Sequence, residues 1–365
     1  MGLRCGIVGL PNVGKSTLFN ALTSAGAEAS NYPFCTIEPN VGIIKVPDFR
    51  LEGLSKIVNP ERILPAVVEI VDIAGLVAGA SKGEGLGNKF LGHIKEVDAI
   101  LHVVRCFVDP NVVHVQGGPD PLRDIEIIET ELIFKDLETV EARLLKAKKG
   151  AQTPEGKLEN EVLCRAKELL ELGRWLGRLE WSDAERTILD ALFLITMKPV
   201  LYVANILESD IGQEDQLPFV NVIRDKAKAE GNFVLTVCSK IEAEIAELGS
   251  EEEKAEFLEG VGLTESGLNR LIRESYSMLG LQTYFTAGVK EVRAWTIHRG
   301  DKAPAAAGVI HTDFEKGFIR AEVIGYNDFV ACKGEAGAKE KGLLRVEGKE
   351  YVVQDGDVMH FRFNV

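Results

Sequence analysis

Residues 9–16 read Gly9-Leu10-Pro11-Asn12-Val13-Gly14-Lys15-Ser16, a full match to the pattern G-x-x-x-x-G-K-[ST]. The apolar run 3–8 precedes this stretch and the helix-like residues 17–25 follow it. That strand–loop–helix setting is the context the pattern requires. Its glycines let backbone N–H groups converge on a polyphosphate at the start of a helix. Lys15 is expected to reach the β- and γ-phosphates, and the Ser16 hydroxyl to bind Mg²⁺. The stretch therefore predicts the opening of a P-loop nucleoside triphosphatase domain of α/β class.

Working outward, the nearly all-apolar runs 3–8, 67–71, 99–104, 200–204 and 233–237 are separated by longer helical patterns. Such runs fit strands buried on both faces of a parallel sheet, and their alternation with helices predicts a doubly wound domain. Residues 41–46 read as a further strand at the sheet edge. From about 125 to 175 the strand rhythm stops. Ile133, Leu137, Val140 and Leu144, then Leu158, Val162, Ala166 and Leu169, repeat at helical spacing, with a turn signal at 149–154. This predicts an inserted coiled-coil-like hairpin of two helices, with Glu131/Lys135 and Glu161/Arg165 as supporting pairs. Ser182 and Glu185 form the signature of a capping box that opens a new helix, which Pro199 is expected to stop before the next strand. Beyond Leu281, short runs at 293–297, 317–324, 350–353 and 358–363 read as a small mixed β domain. Asp355-Gly356 is expected to join the last two as a hairpin. The acidic segment 242–259 reads as a solvated helical face. The expected domains are 1–124 and 199–280 for the nucleotide domain, 125–198 for the helical insertion, and 281–365 for the β domain.

The remaining chemistry gathers around the phosphate loop. Asp72-Ile73-Ala74-Gly75 ends a strand, so Asp72 is placed on Mg²⁺ and the Gly75 N–H on the γ-phosphate. Glycines 79, 83, 85 and 87 follow, as expected of a loop that orders on triphosphate binding. Thr36 is a further metal-shell hydroxyl. After the 200–204 strand a GTPase carries Asn-Lys-x-Asp, whereas here the order is Asn205-Ile206-Leu207-Glu208. The lysine is missing and the acid is a methylene longer, which argues against guanine and for adenine. Ser239, in Cys238-Ser239-Lys240, is placed to offer its N–H to the base edge. Leu76 stands where a Ras-type GTPase has its water-orienting Gln. His114 is the candidate to polarise the water, beside the plainer reading of a loop histidine with a structural hydrogen bond. Lys15 and His114 are thus the candidate catalytic residues.

Composition bounds the partners. The chain has 365 residues and a net charge of −14, and residues 281–365 carry equal numbers of basic and acidic side chains. The excess acid disfavours indiscriminate nucleic-acid binding, and DNA is not expected. Two basic groups stand apart: Arg143, Lys146, Lys148, Lys149 and Lys157 at the hairpin, and Lys333, Lys339, Lys341 and Arg345 in the last domain. Either group has the chemistry to meet RNA phosphates, or to be solvated surface charge. Six scattered cysteines without a Cys-x-x-Cys pair argue against a zinc site or a disulfide framework. No signal peptide or membrane span is read, so a cytoplasmic location is expected.

The strings at 6–17, 31–40 and 72–88, with those at 281–288, 311–322 and 355–365, resemble the YchF family, the Obg-like ATPases. The likeness covers the whole chain. It implies a translation-factor-class nucleotide domain with a helical insertion and a C-terminal TGS domain of β-grasp type. It further implies hydrolysis of ATP in preference to GTP, and a translation or stress role on the ribosome. The hairpin and TGS domain would then meet RNA or the large ribosomal subunit. Carried over by motif, Asn12, Val13, Gly14, Lys15, Ser16 and Thr17 hold the phosphates and Ser16 and Thr36 the Mg²⁺. Asn205 and Glu208 keep the family's base loop, and Ile206 meets adenine through its backbone. A GTPase of the same fold, and a nucleotide-gated binding module with negligible hydrolysis, are the alternative readings.

Overall fold

The computed structural model describes residues 3–25, 40–73, 95–147 and 153–364. Two compact units divide the chain: residues 1–44 with 69–271, and residues 45–68 with 272–365. Among the described residues twelve strands form two sheets. The first sheet takes β1 (Leu3–Val8), β2 (Val41–Lys45), β4 (Val67–Asp72), β5 (Ala99–Arg105), β6 (Val200–Asn205) and β7 (Phe233–Val237), in the order β2-β4-β1-β5-β6-β7. β1, β5, β6 and β7 run parallel, with Ile7 opposite Leu101, Val103 opposite Val203 and Val203 opposite Leu235. Every residue of β5 and β6 is buried, which is why those strands read as unbroken apolar runs. From β1 the chain goes to one side of the sheet and returns through β5 on the other. The crevice beyond the carboxyl ends of β1 and β5 is the topological switch point, where open α/β sheets bind ligands. The expected strands and the edge place of β2 are all present.

The helical insertion is built from helices Pro121–Ala147 and Pro154–Glu171, the second opened by a Thr153 cap with Pro154 in its first turn. Val140, Leu144, Val162 and Ala166 are buried in their shared core, while Leu137 and Leu169 are partly buried beside it. Leu158 is 36% exposed and lies outside that core. The expected i,i+4 pairs give way to others: Lys135 pairs with Glu138 at 3.1 Å and Arg165 with Glu185 at 3.0 Å. The capping box at Ser182 and Glu185 is present. Its helix, Asp183–Asp190, ends well before Pro199, and a 3-10 turn at Ile195–Met197 fills the gap. Buried Asp136 pins that turn by accepting from the backbone N–H groups of Ile195 and Thr196. No described helix is long and apolar enough to cross a membrane.

The second sheet has the order β11-β10-β12-β8-β9-β3, from β3 (Arg62–Leu64), β8 (Leu281–Ala287), β9 (Glu291–His298), β10 (Phe318–Gly325), β11 (Arg345–Glu347) and β12 (Asp357–Phe363). It wraps the helix Ala303–Ile310: Ala303, Ala306 and Ala307 are fully buried against Tyr284, Trp295, Val323 and Phe361. This mixed sheet around one helix is the β-grasp arrangement. Two sequence expectations fail here. Residues 350–353 make only an isolated bridge, Val352 to Lys302. Asp355-Gly356 closes no hairpin, because its groups are used elsewhere. The Asp355 carboxylate accepts from Thr283 N–H at 2.9 Å, and Gly356 N–H donates to the Thr283 carbonyl at 2.8 Å. β12 consequently lies between β10 and β8.

A third finding concerns residues 45–68, which the sequence leaves in the first domain and the structure packs in the second unit. β3 pairs in parallel with β9, and helix Phe49–Val58, capped by Asp48, sets Phe49 edge-on to Tyr326. Arg50 binds Asp48 and Asp355, each at 2.7 Å, and lies over the Phe285 ring.

Candidate functional site

The phosphate loop is shaped by close approaches from its neighbours. A Cβ on Gly9 would lie 2.6 Å from the Val103 carbonyl oxygen, so the loop leaves β1 directly against β5. Asn12 has φ +63° and Gly14 φ +94°, left-handed backbone that Asn tolerates and Gly adopts freely. At Gly14 any side chain would collide with the Asn205 carboxamide. Helix Lys15–Ala25 begins immediately after this turn, with the Leu18 N–H bonded back to the Gly14 carbonyl at 2.9 Å.

Val13 is buried, whereas Ser16 and Thr17 are exposed on the first turn of that helix. Lys15 Nζ is ion-paired with Asp72 Oδ1, and both side chains are about one-eighth exposed. The loop lysine and the carboxylate ending β4 are thus brought together. Thr36, Gly75, Leu76, Lys148 and Lys149 lie outside the described residues. Among the described residues no group of three or more His, Cys, Asp or Glu side chains is placed to hold a metal.

The base loop differs from its expected use. Asn205 is 4% exposed, and its side chain is spent on the protein. Nδ2 donates to the Val13 carbonyl at 2.8 Å, and Oδ1 accepts from Ser239 N–H at 2.9 Å. Its carbonyl accepts from Cys106 N–H at 2.9 Å. Asn205 is therefore a tie between the phosphate loop and the ends of β5 and β7. The Ser239 N–H, expected at the base edge, is consumed by that tie, while its buried Oγ has no hydrogen-bond partner. The Ile206 N–H likewise donates to the Val237 carbonyl at 3.0 Å, so a backbone contact with a base falls to its carbonyl. Glu208 forms an exposed ion pair with Lys240 at 3.0 Å, which raises the lysine's pKa and joins the two loops.

His114 does not face open water. Its Nδ1 accepts from Gln116 N–H at 3.1 Å, which places the ring proton on Nε2, and Nε2 then donates to Asp124 at 2.8 Å. With both nitrogens engaged, the side chain is 3% exposed and held by these two hydrogen bonds. Glu242 corrects the reading of the acidic segment. It is buried rather than solvated, and accepts from the Gly267 and Leu268 N–H groups at the start of helix Gly267–Met278. Burial raises its pKa. Arg345, grouped with candidate RNA contacts, is engaged by Glu347, Asp357 and Tyr351, and Arg143 by Glu159.

One residue at the site escaped the sequence reading. Arg105, the last residue of β5, is 1% exposed. Its guanidinium donates to the carbonyls of Phe107, Asp109 and Val112 at 3.1, 3.2 and 3.0 Å, and lies over the Phe107 ring. A cation directly after an apolar strand was the available signal. Asn12 Nδ2 in turn donates to the neighbouring Val113 carbonyl at 3.1 Å.

Known proteins resemble this chain along its whole length. A family model described as a 50S ribosome-binding GTPase matches residues 4–140, and the YchF-GTPase C-terminal model, described as a protein of unknown function, matches 281–364. Proteins named Ribosome-binding ATPase YchF from Bacillus subtilis (strain 168) and Haemophilus influenzae are 57% and 58% identical, with 100% of each chain covered. The solved structure of the Schizosaccharomyces pombe YchF GTPase matches with a TM-score of 0.86 at 40% identity, over 99% of this chain and 98% of that one. With the phosphate loop, the Lys15–Asp72 pair and the second, β-grasp unit all in place, the chain belongs to the YchF family.

Proposed function

We propose that this chain is a Mg²⁺-dependent ATPase that binds the ribosome and changes its behaviour there with the nucleotide it holds. The observation that carries the enzymatic part is the Lys15–Asp72 pair beneath a loop fixed at Val13 by Asn205 and at Asn12 by the Val113 carbonyl. Lys15 would neutralise charge on the β- and γ-phosphates, in exchange for its carboxylate partner. Asp72 and the Ser16 hydroxyl are hard oxygen donors. Such a sparse protein set suits Mg²⁺, which takes one or two protein ligands and completes its shell with phosphate oxygens and water. Bound there, the ion would supply electrostatic stabilisation of the transferring phosphoryl group. Thr36 and Gly75 are proposed to complete the site from the metal and γ-phosphate sides.

Adenine preference is supported by the base loop. The Glu208 carboxylate is bridged to Lys240, and Ile206 stands where guanine recognition needs a lysine. Relatives 57% identical along their whole length carry ribosome-binding ATPase in their names, which supports the ribosome as partner. The exposed Lys146 and Lys157 of the helical insertion suit rRNA phosphates. A cytoplasmic location and a role in translation or stress follow from that partner. The relative from Schizosaccharomyces pombe is named a GTPase, so base choice is the point to test. Calorimetric titration with Mg·ATP and Mg·GTP should give tighter ATP binding by about tenfold, or about 1.4 kcal/mol. Equal or tighter GTP binding would overturn the adenine reading. The double change Ile206→Lys with Glu208→Asp should move the preference towards GTP.

A further inference from the structure

Residues 106–120 run from the end of β5 to the helix Pro121–Ala147 and flank the phosphate loop through one bond, Asn12 Nδ2 to the Val113 carbonyl. Apolar burial holds this segment weakly: Cys106 is buried and Phe107 and Val112 half-buried, but Val108, Val113 and Val115 are 66%, 75% and 47% exposed. Polar ties hold it instead. At the near end Arg105 binds the carbonyls of residues 107, 109 and 112. At the far end His114 is tied to Gln116 and Asp124. Among the described residues Arg105 makes no ion pair, although taking a guanidinium out of water is costly. What the guanidinium adds is a fan of donors that fixes three carbonyls at once, a geometry a lysine ammonium lacks.

We propose that Arg105 is a positioning residue for the nucleotide, acting through the 107–113 backbone on Asn12. Holding the Val112 carbonyl fixes the peptide plane that enters Val113, whose own carbonyl accepts from Asn12. Asn12 sits at φ +63°, a conformation that persists where its surroundings enforce it. Two sides of the phosphate loop are thereby set. Asn205 fixes Val13 from the β6 side, and Arg105 fixes Asn12 from the β5 side. The proposal rests on the reading of residues 9–16 as a nucleotide site and adds how that site keeps its shape.

The test is a double-mutant cycle on Mg·ATP affinity, measured by calorimetry with wild type, R105M, N12A and R105M/N12A, and with R105K beside them. R105M should weaken binding by about tenfold in the wild-type background and by no more than about twofold once Asn12 is Ala, because the route is then already cut. R105K should be as impaired as R105M. Equal losses from R105M in both backgrounds, or unchanged affinity, would overturn the proposal. So would recovery of wild-type affinity by R105K, which would assign the role to charge. Should R105M fail to fold, amide hydrogen exchange on nucleotide-free R105K decides. Residues 11–16 should exchange faster along with 106–118 while β6 is unchanged, and acceleration confined to 106–118 would sink the idea. A wild-type protein that binds no nucleotide would refute the ATPase reading. This exchange experiment would still judge the Arg105–Asn12 link.

Discussion

In the first sheet β5 and β6 are buried along their whole length, and their neighbours in space are the strands that an alternating β/α chain puts there. In the second sheet the burial of β10 and β12 is interrupted by exposed positions, and the strand beside β9 is β3, from the other end of the chain. The first is held by apolar burial that needs no particular partner. That leaves polar groups at the strand ends, such as Lys15, Asp72, Arg105 and Asn205, to shape a site. The second is a small sheet whose pieces are distant in sequence, so specific polar ties such as Arg50 with Asp48 and Asp355 fix which pieces meet. Polar side chains at the strand ends of the first sheet shape the candidate site, and those of the second unit serve assembly.

The sharpest way to break that contrast is Lys15→Ala. If the loop at the end of β1 serves chemistry and not cohesion, ATP turnover should fall by about a thousandfold. The urea midpoint should meanwhile stay close to that of wild type. A large loss of stability with modest loss of turnover would make Lys15 a structural residue and erase the distinction.

Acid should also separate the two units. Within the first sheet His102 is 3% exposed on β5 and packs beside Tyr202, and burial lowers its pKa from 6.5 to about 4. The nearby Glu129 raises that pKa and Lys226 lowers it further, both less than burial does. Between those two values the unfolded chain takes up a proton that the folded chain refuses. The contribution of neutral His102 is therefore intact above about pH 6.5 and is lost progressively as the pH falls to about 4. Its full size is about 3 kcal/mol. Urea unfolding of wild type and His102→Leu at pH 7.5, 5.5 and 4.5 should show a steeper acid loss in wild type. Parallel pH profiles would refute the assignment.

The same contrast explains what could be read from the residues alone. Continuous apolar runs announce strands of a parallel sheet, and G-x-x-x-x-G-K-S names the loop that follows its first strand, so the first sheet was legible. Asn205 was found as a site residue but not as a tie, because its sequence position says nothing of where its amide points. Glu242 misled for a related reason. Its residue type suits solvent, and only tertiary structure supplies the Gly267 and Leu268 N–H groups that it accepts from, just as it supplies the Gln116 and Asp124 partners of His114. The placement of β3 was illegible because a three-residue strand carries too little periodicity to declare its partner. Asp355-Gly356 misled because a local turn signal was outweighed by long-range bonds to Thr283.

The smallest expected effect probes the polar ties of the second unit. Arg50 is 17% exposed and Asp355 54%, so solvent screens their pair and the attraction alone contributes less than about 1 kcal/mol. Arg50→Ala also removes the cation from over Phe285 and leaves the nearly buried Asp48 carboxylate without its side-chain partner. The Arg50 backbone N–H still donates to that carboxylate, so the helix cap survives. These contributions amount to about 1–2 kcal/mol for the unit. Amide hydrogen exchange in β8, β9 and β12 should therefore quicken by about tenfold, with β5 and β6 unmoved and ATP affinity unchanged. If β5 and β6 quickened equally, the tie would not be particular to the second sheet. If neither sheet responded, the exposed half of the pair would have set its worth, and apolar burial would be holding both sheets alike.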